Sequence, residues 1–131
     1  MAGELILIVE DNEKNRKLER DVLQFHGYRT IEAETGEDGV RLAHESPPAL
    51  ILMDIQLPGI SGIEALRRLR ADAATQGIAV MAVTASAMTQ DRQTILAAGF
   101  DGYLSKPISL KDFVAAVRVL LDRGPTRERA T

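Results

Sequence analysis

Cysteine is absent from the 131-residue chain, which excludes disulfides and thiolate metal sites. No apolar run approaches the roughly 18 residues needed to span a bilayer, so membrane insertion is not expected. The opening residues, Met1-Ala2-Gly3-Glu4, lack the basic stretch that begins a signal peptide. Strong charge of either sign is missing too. Sixteen basic and 19 acidic residues leave a net charge of -3, which gives no electrostatic reason to expect nucleic acid as a partner. Together these absences point to a cytoplasmic setting.

What is present is ordinary globular material. Hydrophobic residues make up 45% and charged residues 27% of the chain. That content can fill a core and excludes disorder as the main state. The length suits a single domain.

Five apolar segments recur. Leu5-Ile6-Leu7-Ile8-Val9 and Leu50-Ile51-Leu52-Met53 are continuous aliphatic runs, as strands buried on both faces require. Ile78-Ala79-Val80-Met81-Ala82-Val83 is a third such run. Tyr28-Arg29-Thr30-Ile31-Glu32-Ala33 alternates only in part, and Gly102-Tyr103-Leu104 is short. Helical patterns lie between them. After Asn12, read as an N-cap, Leu18, Val22 and Phe25 define an apolar face that stops at Gly27. Gly36 to about Glu45 carries Val40 and Leu42-Ala43, and Pro47-Pro48 ends it. Ile63, Leu66 and Leu69 mark a third helix, with Arg67, Arg68 and Arg70 expected on its wet side. Thr89 to Ala98 is a more polar fourth helix before Gly99. Phe113, Val117, Leu120 and Leu121 define the fifth. His26 and His44 fall within helical stretches and are read as surface or packing residues. The polar stretch 124–131 reads as a frayed tail.

Five alternations of strand and helix imply a parallel sheet covered on both faces. Ligands of such sheets sit beyond the carboxyl ends of the strands. Those ends carry Glu10-Asp11 after the first strand, Asp54 after the third, Thr84 after the fourth and Ser105-Lys106-Pro107 after the fifth. Two unit charges about 4 Å apart near a protein surface repel by roughly 4 kcal/mol. Clustered carboxylates therefore need a cation or a proton. An all-oxygen donor set without His or Cys favours a hard ion such as Mg²⁺. A nucleophilic carboxylate, a Mg²⁺ and a lysine together suit phosphoryl transfer. Taken singly, Asp11 reads as a helix cap, Asp54 as a turn residue, Thr84 as a strand residue, Lys106 as a solvated surface lysine and Tyr103 as edge-strand packing. Their convergence on one edge is what carries the functional reading.

On these residues the sequence resembles the receiver domain of bacterial two-component response regulators. The matching stretches are Ile6-Leu7-Ile8-Val9-Glu10-Asp11-Asn12, Leu52-Met53-Asp54-Ile55-Gln56-Leu57-Pro58-Gly59, Val83-Thr84-Ala85 and Leu104-Ser105-Lys106-Pro107. The resemblance implies an α/β, flavodoxin-like (βα)5 three-layer sandwich whose parallel five-stranded sheet has the order 2-1-3-4-5. It implies a receiver over residues 1–123 and a flexible tail over 124–131. It also implies that Asp54 is the phosphoacceptor for a histidine kinase or histidine phosphotransferase. Asp11 and Asp54 would be direct Mg²⁺ ligands, joined by the backbone carbonyl of Gln56, and Glu10 an outer ligand acting through water. Lys106 would pair with phosphoryl oxygens, Thr84 would hydrogen-bond one of them, and Thr84 with Tyr103 would form the switch. The Lys106-Pro107 peptide is expected to be cis, as the tertiary amide permits.

Within the family the chain looks most like stand-alone receivers of the DivK type, which act in cell-cycle and polarity phosphorelays. Glu10-Asp11-Asn12-Glu13, Asp54-Ile55-Gln56-Leu57-Pro58, Ala85-Ser86-Ala87-Met88 and Ser105-Lys106-Pro107-Ile108-Ser109 carry that likeness. Such a protein signals rather than turns over a substrate, and catalyses only its own phosphorylation and dephosphorylation. A downstream kinase or effector is expected on the face of the fourth helix, fifth strand and fifth helix. No output domain is expected after Arg123. Ala49 departs from the acidic residue many relatives carry there, at the strand end away from the site. Receivers of hybrid histidine kinases share much of this text, and a module of one remains an alternative. A receiver-like module that never takes a phosphoryl group is another, opposed by the intact set of Glu10, Asp11, Asp54, Thr84 and Lys106. Flavin binding is rejected because Glu10-Asp11 would repel the cofactor phosphate. A dehalogenase-type phosphatase needs a second Asp where Gln56 stands.

Overall fold

A computed structural model describes residues 3–85 and 89–123, with side chains from 93 onward in the second stretch. The chain alternates β1 (Leu5–Val9), α1 (Glu13–Phe25), β2 (Arg29–Ala33), α2 (Gly36–Glu45), β3 (Leu50–Asp54), α3 (Gly62–Ala71), β4 (Ala79–Thr84), α4 (Thr89–Ala97), β5 (Gly102–Ser105) and α5 (Leu110–Arg123). All strand pairs are parallel, in the order β2-β1-β3-β4-β5. This is the expected flavodoxin-like arrangement. Ser86-Ala87-Met88 and the tail 124–131 lie outside the described residues.

Continuous aliphatic runs form the central strands because both faces are covered. Every residue of β3 and β4 is buried. Side chains alternate across the sheet and sort into two cores. Leu7, Val9, Ile51, Met53, Val80 and Ala82 meet Ala43 of α2, Ala65, Leu66 and Leu69 of α3, Ile95 of α4, and Phe100. Ile6, Ile8, Leu50, Leu52, Met81 and Val83 meet Leu23 of α1 and Phe113, Val117 and Leu120 of α5.

The strand-to-helix turns end in side-chain caps. Asn12, Thr35 and Ser61 accept hydrogen bonds from the backbone N–H groups of Asn15, Asp38 and Glu64 at 3.0, 3.1 and 3.2 Å. Gly27, with φ of 90°, closes α1 as expected.

Two expectations are corrected. The face of α1 that meets the sheet is not that of Leu18, Val22 and Phe25: Leu18 is 40% and Phe25 86% exposed. Glu19 and Leu23 are the buried positions, and Val22 packs only at the flank of the core. The sheet surface demanded a rotation that sparse apolar residues on a polar helix did not reveal. Arg70 also leaves the wet side of α3. It donates to the carbonyls of Gln76 and Ile78 at 3.2 and 2.7 Å and pairs with Asp101 at 3.1 Å.

Candidate functional site

The ladder brings the site together. Ile8 pairs with Leu52 and Val9 with Met53, so the next residues, Glu10 and Asp54, emerge side by side. The alternation that sends Ile6 and Ile8 toward α1 and α5 sends Glu10 the same way, and likewise Leu50, Leu52 and Asp54. Thr84 follows Val80 and Ala82 toward the opposite core and stands in register with Ser105. Lys106 follows β5, its backbone N–H donating to the Thr84 carbonyl at 2.7 Å. The peptide joining it to Pro107 is cis, as expected.

Glu10 and Asp54 are 1% and 5% exposed. The Lys106 ammonium reaches both, at 2.8 Å from Glu10 Oε1 and 3.0 Å from Asp54 Oδ2. Glu10 Oε2 accepts from the Asn12 N–H and Asp54 Oδ1 from the Gln56 N–H, each at 3.0 Å. Asp11 is exposed, and carboxylate oxygens of Glu10, Asp11 and Asp54 lie within 4.8 Å of one another. Gln56 is exposed on the loop above them, while Thr84 is fully buried. Tyr103 is partly buried, opposite Ala82, and packs on the α2/α3/α4 core.

The electrostatics follow from burial. Desolvation raises the pKa of Glu10, offset by hydrogen bonds from Lys106 and the Asn12 N–H and reinforced by the charge on Asp54. Burial opposes the charge on Lys106, yet its bonds to Glu10 and Asp54 outweigh that and raise its pKa overall. Three carboxylates against one ammonium leave an excess of negative charge at a partly open edge. The donor set is all oxygen, which fits a hard divalent cation.

The floor of the site is tight. A β-carbon at Gly62 would collide with the Asp54 carbonyl oxygen and lie 2.9 Å from Ile55 Cα. Gly62 instead donates its N–H to the Ile55 carbonyl at 2.9 Å, which seats α3 directly behind the end of β3.

One residue near the site was missed by sequence reading. Glu19 of α1 is 2% exposed, and its Oε2 has no hydrogen-bond partner among the described residues. Burial pushes its carboxyl up to about 8, helped by the charges of Glu10 and Asp54 and opposed by Lys106. Its spacing of four from Leu23 was the available signal.

Comparison with known proteins gives a consistent picture. The response regulator receiver domain family matches residues 6–118. The polar-differentiation response regulator DivK of Brucella ovis is 46% identical over 116 residues, covering 88% of this chain and 94% of that protein. DivK of Brucella anthropi is equally similar over the same span. Among solved structures, the receiver domain of a sensor histidine kinase from Pseudomonas aeruginosa PAO1 is 34% identical with a TM-score of 0.86, covering 92% of this chain and 99% of that one. That structure holds a magnesium ion in its active site cleft. A CheY-like receiver from Methanospirillum hungatei is 30% identical with a TM-score of 0.83, covering 93% and 96% of the two chains. The sheet order, the strand-end residues and these matches lead to one conclusion: the chain belongs to the response regulator receiver domain family and is similar to its DivK members.

Proposed function

We propose that this receiver takes a phosphoryl group onto Asp54 from a histidine kinase or histidine phosphotransferase and signals through protein contacts. The observation that carries this reading is the Lys106 ammonium held between buried Asp54 and Glu10, at 3.0 and 2.8 Å. A buried carboxylate fixed by a lysine at an open sheet edge is a preoriented nucleophile with a cation ready for incoming anionic oxygens. An Asp54 oxygen attacks the phosphorus of a phosphohistidine. The O–P bond forms as the N–P bond breaks, and the electron pair stays on the donor imidazole.

Asp11, Asp54 and the backbone carbonyl of Gln56 would hold Mg²⁺, with Glu10 as an outer ligand. The ion supplies neutralisation of the acidic cluster and of the transferring group. Thr84 would donate to a phosphoryl oxygen. Tyr103 would respond on the face formed by α4, β5 and α5, where a downstream kinase or effector is expected. The receiver unit runs over residues 1–123, works in the cytoplasm and catalyses only its own phosphorylation and dephosphorylation.

The test is intact mass after incubation with a small acyl-phosphate donor and Mg²⁺. One phosphoryl group is expected on the parent and none on Asp54→Asn. Equal labelling of that variant would overturn the assignment.

A further inference from the structure

Glu19 is a buried carboxylate that phosphoryl transfer does not use. It lies on the α1 face that meets the sheet, 2% exposed, beside Leu23. Glu10 and Asp54 leave their strands toward the same side, continuing Ile8 and Leu52. The Glu19 carboxyl thus lies on the side of the sheet toward which Glu10 and Asp54 emerge, with its Oε2 lacking a partner among the described residues. No hydrogen bond or ion pair among those residues joins it to the three clustered carboxylates.

The groups that act on it come from each neighbouring element. The charges of Glu10 at the end of β1 and Asp54 at the end of β3 oppose its ionisation, and that of Lys106 beyond β5 favours it. From α5 the core receives Phe113 and Val117, which carry no charge. On α1 itself, Arg16 and Arg20 are engaged by Glu32 of β2. A fourth carboxylate in this enclosure meets net negative charge with little water to screen it. A divalent cation at the strand ends would offset that excess of negative charge.

We propose that Glu19 is a proton-linked governor of the acidic site: it keeps its proton while the site is free of metal and releases it when a divalent cation binds, so that cation affinity rises with pH through this residue. The inference rests on the Mg²⁺ reading given above. Glu19 touches no metal and acts only through its charge. Linkage is reciprocal, so a cation that shifts Glu19 by one pH unit binds about tenfold tighter once Glu19 is ionised.

The test follows the Glu19 carboxyl by ¹³C NMR in the metal-free parent, in the parent with saturating Mg²⁺ and in metal-free Asp54→Asn. Titration near pH 8 is expected in the first, and at lower pH in the other two. Calorimetric Mg²⁺ titrations of the parent and of Glu19→Gln, a near-isosteric neutral variant, complete it. For a shift of one pH unit from about 8, the parent should gain about fivefold more affinity than the variant between neutral pH and about pH 9. An ordinary glutamate titration overturns the proposal, as does an identical pH profile in Glu19→Gln with Mg²⁺ bound normally. A response to Asp54→Asn without any to Mg²⁺ overturns the magnesium reading, and the proposal with it.

Discussion

Arg70 and Asp101 form an ion pair at 3.1 Å, with only 16% and 7% of their side chains exposed. Asp101 Oδ2 also accepts the Val80 N–H at 2.8 Å, so one carboxylate ties α3 to the starts of β4 and β5. Removing one partner of an enclosed pair leaves the other charge uncompensated. Asp101→Ala should therefore lose about 3 kcal/mol in urea unfolding. A loss no larger than that of an exposed pair such as Lys17 with Asp21 would show that the tie is not stabilising.

Asp11 is the exposed member of the acidic cluster, so its removal should separate metal binding from folding. Asp11→Ala should raise metal-free stability by up to about 1 kcal/mol, because one repelling charge is gone. In the parent, Mg²⁺ at a hundred times its dissociation constant should add about 2.7 kcal/mol. The variant should show almost none of that gain in thermal scans. An unchanged Mg²⁺ response would remove Asp11 from the ligand set.

Glu19 should leave a signature in stability against pH. Its folded value, about 8, lies above the ordinary 4.5. The folded state therefore binds more protons between those values, and stability falls as pH rises. The associated stability is fully present below about pH 4.5 and is lost progressively up to about pH 8. Glu19→Leu removes this dependence. Its advantage over the parent should grow across that window to the order of 3 to 5 kcal/mol. Parallel curves for the two proteins would contradict the buried, unpartnered geometry.

Phosphorylation should be felt beyond the strand ends. With a phosphoryl mimic at Asp54, amide shifts should change along α4 and β5, up to Tyr103, while α2 stays quiet. A new near-dianion rewards each donor that reaches it, and a partner selects the altered surface by differential affinity. Changes confined to the loops around Asp11, Asp54 and Lys106 would mean that a partner reads the phosphate site directly.

Much of this was legible because burial on both faces leaves an unmistakable text. The runs ending at Val9, Met53 and Val83 read as strands buried on both faces and form the three central strands, and the polar residue after each stands at the carboxyl edge of the sheet. Helix orientation was harder. On α1 the apolar residues are few, and the sheet selected Glu19 and Leu23 over the more regular row through Leu18 and Phe25. Arg70 misled for another reason. Its partner lies 31 positions away on a different element, a distance no local periodicity encodes. Glu19 combines both difficulties, since a glutamate on a polar helix reads as solvated until tertiary packing encloses it.

The division of the sheet into two cores gives the strand ends an unequal allegiance. Glu10 and Asp54 continue rows that belong to α1 and α5, whereas Thr84 continues a row shared with α3 and α4, and Tyr103 packs there too. A group attached to Asp54 is thus anchored in one layer, and any pull it exerts on Thr84 is felt in the other. The sheet works as a partition with a doorway at its carboxyl edge, where the Asp54 row of one layer and the Thr84 row of the other end on neighbouring strands.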